Sequence, residues 1–105
     1  MQPIRWINGK PVVYGEGNLL SNQTPSCCAS GSQDGILAFM HMAASGNRVR
    51  VERVSYMPVW VRHPDYAVLP VSLAMRKGLA GMSELRASWT RTTRVIGRSK
   101  RVSPR

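Results

Sequence analysis

The chain opens on an apolar–polar alternation interrupted by a turn signal. Ile4-Arg5-Trp6-Ile7 runs into Asn8-Gly9 and then into Lys10-Pro11-Val12-Val13-Tyr14. Asn-Gly between two apolar runs predicts a two-residue hairpin, because both residues tolerate the positive φ of a type I′ turn. Pro11 has no N–H to offer a ladder, which puts the second strand at an edge. Gly15-Glu16-Gly17-Asn18 predicts a further turn. Residues 18–32, poor in charge and rich in Ser, Asn, Gln, Thr and Pro, predict an irregular surface loop.

From residue 33 the period changes. Ile36, Phe39, Met40 and Ala43 recur at i, i+3, i+4 and i+7, the buried stripe of a helix. With Ser32 as cap and Gly46-Asn47 as a left-handed stop, the spacing predicts a short helix over 33–45. Arg48-Val49-Arg50-Val51-Glu52 alternates as a half-buried strand does. The phase slips at Arg53-Val54, where two residues face one way or a bulge absorbs the extra one. Tyr56–Val61 continues extended, with Pro58 requiring an edge or a break. Arg62–Tyr66 reads as a turn. A second helix starts near Pro70, carrying Met75, Leu79, Met82 and Trp89 on one stripe with Leu85 close to it. Gly78 and Gly81 each cost a helix interior about 1 kcal/mol relative to Ala, so this helix kinks or splits near Gly81. Thr90–Gly97 is rich in Thr and Val and predicts extended structure. Arg98–Arg105 has no apolar periodicity and predicts a tail that is disordered alone.

These elements amount to a small single α+β domain. It has an N-terminal β-hairpin, a short helix, an irregular strand region, a second helix and a basic C-terminal extension. The body is expected over residues 1–90 and the extension over 91–105. A chain of 105 residues has room for one such domain and a modest core.

Charge sharpens this picture. The net charge is +10 although only 19% of residues are charged, so nearly all charges share one sign. Residues 1–47 hold Arg5, Lys10, Glu16 and Asp34, which sum to zero, so the whole excess lies beyond them. From Arg86 onward there is no Asp or Glu. A cationic segment that cannot pair internally finds its counter-charge on phosphate backbones, anionic lipid heads or acidic protein surfaces. Arg outnumbers Lys twelve to three. Its planar fork grips phosphate bidentately, although GC-rich coding produces the same bias without a structural cause.

Two groups of bases are candidates for nucleic-acid binding. One is Arg48, Arg50, Arg53 and Arg62 on the strand region. The other is Arg86, Arg91, Arg94, Arg98, Lys100, Arg101 and Arg105 at the C-terminal end. The plainer readings are an edge strand protected by charge, a solvated tail, or docking in an acidic protein groove. The Trp and Tyr residues can stack on unpaired bases, but Trp60 and Trp89 are expected in the core or an interface.

Other chemistry has little support. Cys27 and Cys28 are adjacent, and neighbours seldom bridge without strained geometry, which points to a reducing, intracellular compartment. Neither they nor His41 and His63 have zinc-ligand spacing, so no metal and no cofactor are expected. Cys28 with His41 or His63 and Asp34 or Asp65 can be drawn as a nucleophilic triad, but no motif joins them. Gly15-x-Gly17 is too short for a phosphate-binding fingerprint. An enzyme is not expected. No stretch approaches the roughly 20 apolar residues of a membrane span, and the N-terminus has no apolar signal region.

The expectation that follows is a structural RNA-binding subunit of a large ribonucleoprotein assembly. It would be a ribosomal protein of a divergent or organellar ribosome, mitochondrial or cytoplasmic, clamping rRNA with its basic C-terminal segment beside neighbouring protein subunits. The alternative is a structural subunit of a phage or virus particle or another large protein assembly, docking by edge strands and an extended basic tail.

Overall fold

The computed structural model describes residues 1–105. It is an α+β fold with two antiparallel-based sheets and two helices. Strands β1 (Ile4–Ile7) and β2 (Lys10–Val13) form the N-terminal hairpin. Asn8 and Gly9 have φ of 48° and 75°, the positive pair that the turn needs. Pro11 faces Trp6 in this two-stranded sheet, where both strands are edges.

The main sheet is built on β4 (Arg48–Arg62). Strand β3 (Asp34–Ser45) lies antiparallel along one edge of it. The other edge is shared: β5 (Ala67–Pro70) pairs antiparallel with Val59–Arg62, and β6 (Val102–Pro104) pairs parallel with Val54–Tyr56. Pro58 falls in the gap between them. The Val54 N–H donates to Arg101 O and the Arg105 N–H donates to Tyr56 O, so the even-numbered residues of β4 turn their polar groups to this edge. The missing N–H of Pro58 therefore points where no strand asks for it.

Two helices follow β5: α1 (Val71–Lys77) and α2 (Met82–Ile96). The expected split occurs, with α1 ending on Gly78 in the left-handed region and α2 beginning after Gly81. Ile4, Ile36, Val54, Tyr56, Ile96 and Val102 form one buried cluster, so the hairpin and the end of α2 cover one sheet face. Leu69, Val71, Ala74 and Leu85 form a second, with Trp60 and Trp89 half-buried against it. Residues 18–32 are irregular, as expected. The chain also touches the outer edge of β3 through a Gly17–Gly35 bridge. A Cβ on Gly17 would lie 2.5 Å from the Asp34 carbonyl oxygen, so only glycine permits this approach.

Three expectations are corrected. The predicted helix over 33–45 is strand β3. Residues 36–40 are apolar at both parities, so the same residues satisfy a helical stripe and a two-sided strand, and pairing with β4 decides. Gly46-Asn47, expected to end that helix, instead turns a hairpin, with Gly46 at φ 61°. Thr90–Gly97 is not extended: α2 runs through Ile96. Its buried side is Leu85, Ser88, Thr92 and Ile96, a helical face made of small hydroxyl and apolar residues, and tertiary packing overrides β propensity. The tail is not a free extension either. Val102 is 6% exposed in the core, and β6 joins the sheet. The expected boundary after residue 90 falls inside α2.

Candidate nucleic-acid interface

The outer part of β3 and β4 leaves the body as a two-stranded arm. All residues from Ala44 to Arg50 are exposed. Strand spacing makes the twelve residues of β3 about 40 Å long, against a largest molecular dimension of 50 Å.

A β-bulge organises this arm. His41 pairs with Arg53 and Met42 with Val51, which leaves Glu52 without a partner. Arg53, Val51 and Val49 have one parity in the sequence, and Arg50 and Arg48 the other. An uninterrupted strand would put Arg53 with the valines. The extra residue resets the phase. Residues paired across an antiparallel ladder share a face. One face therefore carries Met40, Met42 and Ala44 opposite Val54, Val51 and Val49. The other carries His41, Ala43 and Ser45 opposite Arg53, Arg50 and Arg48. The arm is apolar on one side and cationic on the other.

The cationic face continues onto the body through Phe39, opposite Ser55. Here the two basic regions of the sequence meet. The Arg105 guanidinium lies 4.3 Å over the Phe39 ring, and its backbone N–H is held by Tyr56 O at 2.9 Å. His41 Nε2 and Ser55 Oγ are 2.8 Å apart between Phe39 and Arg53. The one carboxylate on the arm is Glu52, 3.1 Å from Arg50, with both side chains well exposed. Such a pair holds little energy and yields to a better anion.

The other expected bases divide into two sets. Arg62 is committed internally: it donates to both oxygens of Asp65, at 3.1 and 2.5 Å, and to Leu79 O at 2.7 Å. The hydrogen bond to Asp65 raises the Arg62 pKa, and the same bond holds Asp65 below the usual carboxylate value. Arg91 is committed to Asp34, which raises its pKa in the same way. Arg86, Arg94, Arg98, Lys100 and Arg101 are exposed and form no ion pair with the chain's own carboxylates. Arg101 sits 5.3 Å over the ring of Trp6.

Phe39 and His41 are part of this face, although the helical spacing over 33–45 hides it. Their only signal was the second parity of the 36–44 run. Trp60 and Trp89 are half-buried against the second core cluster, in line with expectation. Tyr56 is fully buried, and its hydroxyl donates to Gly97 O. The triad drawn from the sequence is not assembled. His41 bonds Ser55, while Asp34 and Asp65 are each held by an arginine. The Cys28 thiol hydrogen-bonds Cys27; this lowers the Cys27 pKa and raises that of Cys28.

Neither helix is long and apolar enough to cross a membrane. No family model, curated protein or solved structure matches the chain significantly.

Proposed function

We propose that this chain is a structural RNA-binding subunit of a large ribonucleoprotein assembly, with a ribosome, organellar or otherwise divergent, as the assembly that suits it best. One observation carries the reading. The bulge at Glu52 collects Arg48, Arg50 and Arg53 on a single face, and that face runs on to Arg105 over Phe39. Alternate residues of a strand are about 7 Å apart, so the arm offers a row of forked donors to successive phosphates of one backbone. Neutralising each phosphate releases counterions, which supplies most of the free energy. Phe39 and the guanidinium above it give an unpaired base a flat surface to stack on. The near-neutral N-terminal half and the apolar arm face suit contact with neighbouring proteins. A protein of this kind works by positioning rather than by catalysis.

The test is a salt titration of RNA binding by the wild type and by the Arg48→Gln/Arg50→Gln/Arg53→Gln variant. Each lost phosphate contact lowers the log–log slope by about 0.7–0.9, so the triple variant should lose about 2–3. The loss should be similar across unrelated RNA sequences, because phosphate contacts do not read bases. An unchanged slope in a folded variant overturns the reading.

A second reading has its own observation. Met40, Met42 and Val49 are 49%, 61% and 65% exposed on the apolar arm face, and the arm's strands have unpaired outer edges. That combination favours strand addition within a virus particle or another protein shell. In that case Met42→Glu abolishes assembly and leaves RNA affinity unchanged.

A further inference from the structure

We infer that the protein has a second anion site, a crevice between β1 and the Ser99–Val102 turn that takes a phosphomonoester, the terminal phosphate of a nucleic-acid strand or of a nucleotide. The crevice holds about 530 Å³ and is walled by Arg5, Trp6, Ser99, Lys100 and Arg101 among others. It opens on the side of the sheet covered by the hairpin, whereas the Arg105–Phe39 contact lies on the opposite face. It is therefore distinct from the cationic face of the arm, and Arg101 alone of its walls also borders the arm, in a recess with Arg50, Val51 and Glu52.

Two features point to a phosphate. The wall contains three cations and no carboxylate. None of Arg5, Lys100 or Arg101 takes part in an ion pair with the protein's own carboxylates. Unpaired cations with no carboxylate among them call for a ligand made of acceptors.

The site is held in place before any ligand arrives. Ser99 Oγ accepts from the Arg101 and Val102 N–H groups at 3.2 and 3.1 Å, and the Ser99 N–H donates to Val102 O at 2.8 Å. Ile4 and Val102 pack in one core cluster, which fixes the turn against β1. The fold thus brings Arg5 to the far end of the chain, and no local motif records the meeting.

Clustering favours a monoester over a diester. A backbone diester has one charge, and a spaced row such as Arg48, Arg50 and Arg53 meets diesters one by one. A monoester carries about −1.5 to −2 at neutral pH on three acceptor oxygens, and so rewards several cations directed at one point.

The experiment uses the full chain and two RNA octamers of one sequence, one with a 5′-phosphate and one with a 5′-hydroxyl, and also 5′-AMP, adenosine and inorganic phosphate. The 5′-phosphate should tighten RNA binding about tenfold, the return of one charge-assisted hydrogen bond. Lys100→Gln/Arg101→Gln should erase that gain, so that the two octamers bind this variant equally, whatever affinity the two lost charges cost both. Arg5→Gln should reduce the gain from the opposite wall. The arm triple variant should keep the gain while losing its salt slope, so failure of this site and failure of the arm are distinguishable. If 5′-AMP and inorganic phosphate bind and adenosine does not, with both lost in Lys100→Gln/Arg101→Gln, the site stands and its source is a free phosphate compound. Equal affinity for the two octamers without binding of 5′-AMP or inorganic phosphate overturns the inference. So does a gain that survives in Lys100→Gln/Arg101→Gln.

Discussion

Arg91 grips Asp34 with two donors, Nε to Oδ2 at 2.7 Å and Nη2 to Oδ1 at 3.0 Å. The carboxylate side chain is 1% exposed and the arginine 38%. This pair ties the middle of α2 to the first residue of β3. Asp34 also accepts the Asn18 N–H on its carbonyl, so loop, sheet and helix meet at one residue. Arg91→Ala leaves the carboxylate buried and unpaired. The expected loss is about 2–4 kcal/mol, less than for a fully buried pair because water reaches the arginine side. Asp34→Asn added to Arg91→Ala should recover part of it. Urea unfolding of the wild type and the two variants measures the difference; equal loss in the single and double variants would remove the pair as the cause.

The C-terminal residues should behave as core. Val102→Ala is expected to cost about 1–3 kcal/mol. The Arg105 and Val54 amides, each bonded across the β4–β6 junction, should exchange more slowly than the Lys100 amide. Exchange of Arg105 at the free-peptide rate would mean that β6 is detached in solution.

The two thiols should differ in reactivity. Cys27 is lowered in pKa by the hydrogen bond from Cys28, and Cys28 is raised by the same bond. The thiolate is the nucleophile, so iodoacetamide should label Cys27 first at mildly alkaline pH. Cys28→Ala should slow the labelling of Cys27. Mass spectrometry of early time points decides, and faster labelling of Cys28 would reverse the assigned direction of the bond.

Asp65 makes an acid-sensitive contact. Its pKa is lowered, chiefly by the hydrogen bond from Arg62. A depressed carboxylate adds stability that is complete above its unfolded pKa of about 3.9 and disappears as pH falls through the lower folded value. The difference in melting temperature between wild type and Arg62→Gln should therefore be constant near neutrality and shrink in acid. A difference that grows on acidification would contradict this sign.

Features set by local backbone chemistry were legible in the sequence. Asn8-Gly9 specified its turn, the phase slip at Arg53 announced a bulge, and Gly78 and Gly81 divided the helices. Pro58 required a break in the ladder and has one. Features set by distant partners were not legible. Both parities of the 36–40 run are apolar, so only the presence of β4 makes it a strand. Val102 looked like one apolar residue in a basic tail because its neighbour, Val54, lies far upstream. Arg91 and Arg62 were indistinguishable from the free arginines, since nothing local showed that Asp34 and Asp65 would claim them. The basic face was half legible: Arg48 and Arg50 share a parity, and the bulge was needed to add Arg53.

The bulge makes the arm sensitive to the parity of its length. Each strand position alternates between faces, so inserting one residue between Asn47 and Glu52 would carry arginines to the methionine side and valines to the cationic side. Inserting two would restore the arrangement and only lengthen the arm. Among variants of this protein, changes of residue type along the arm should be far better tolerated than changes of residue number by one.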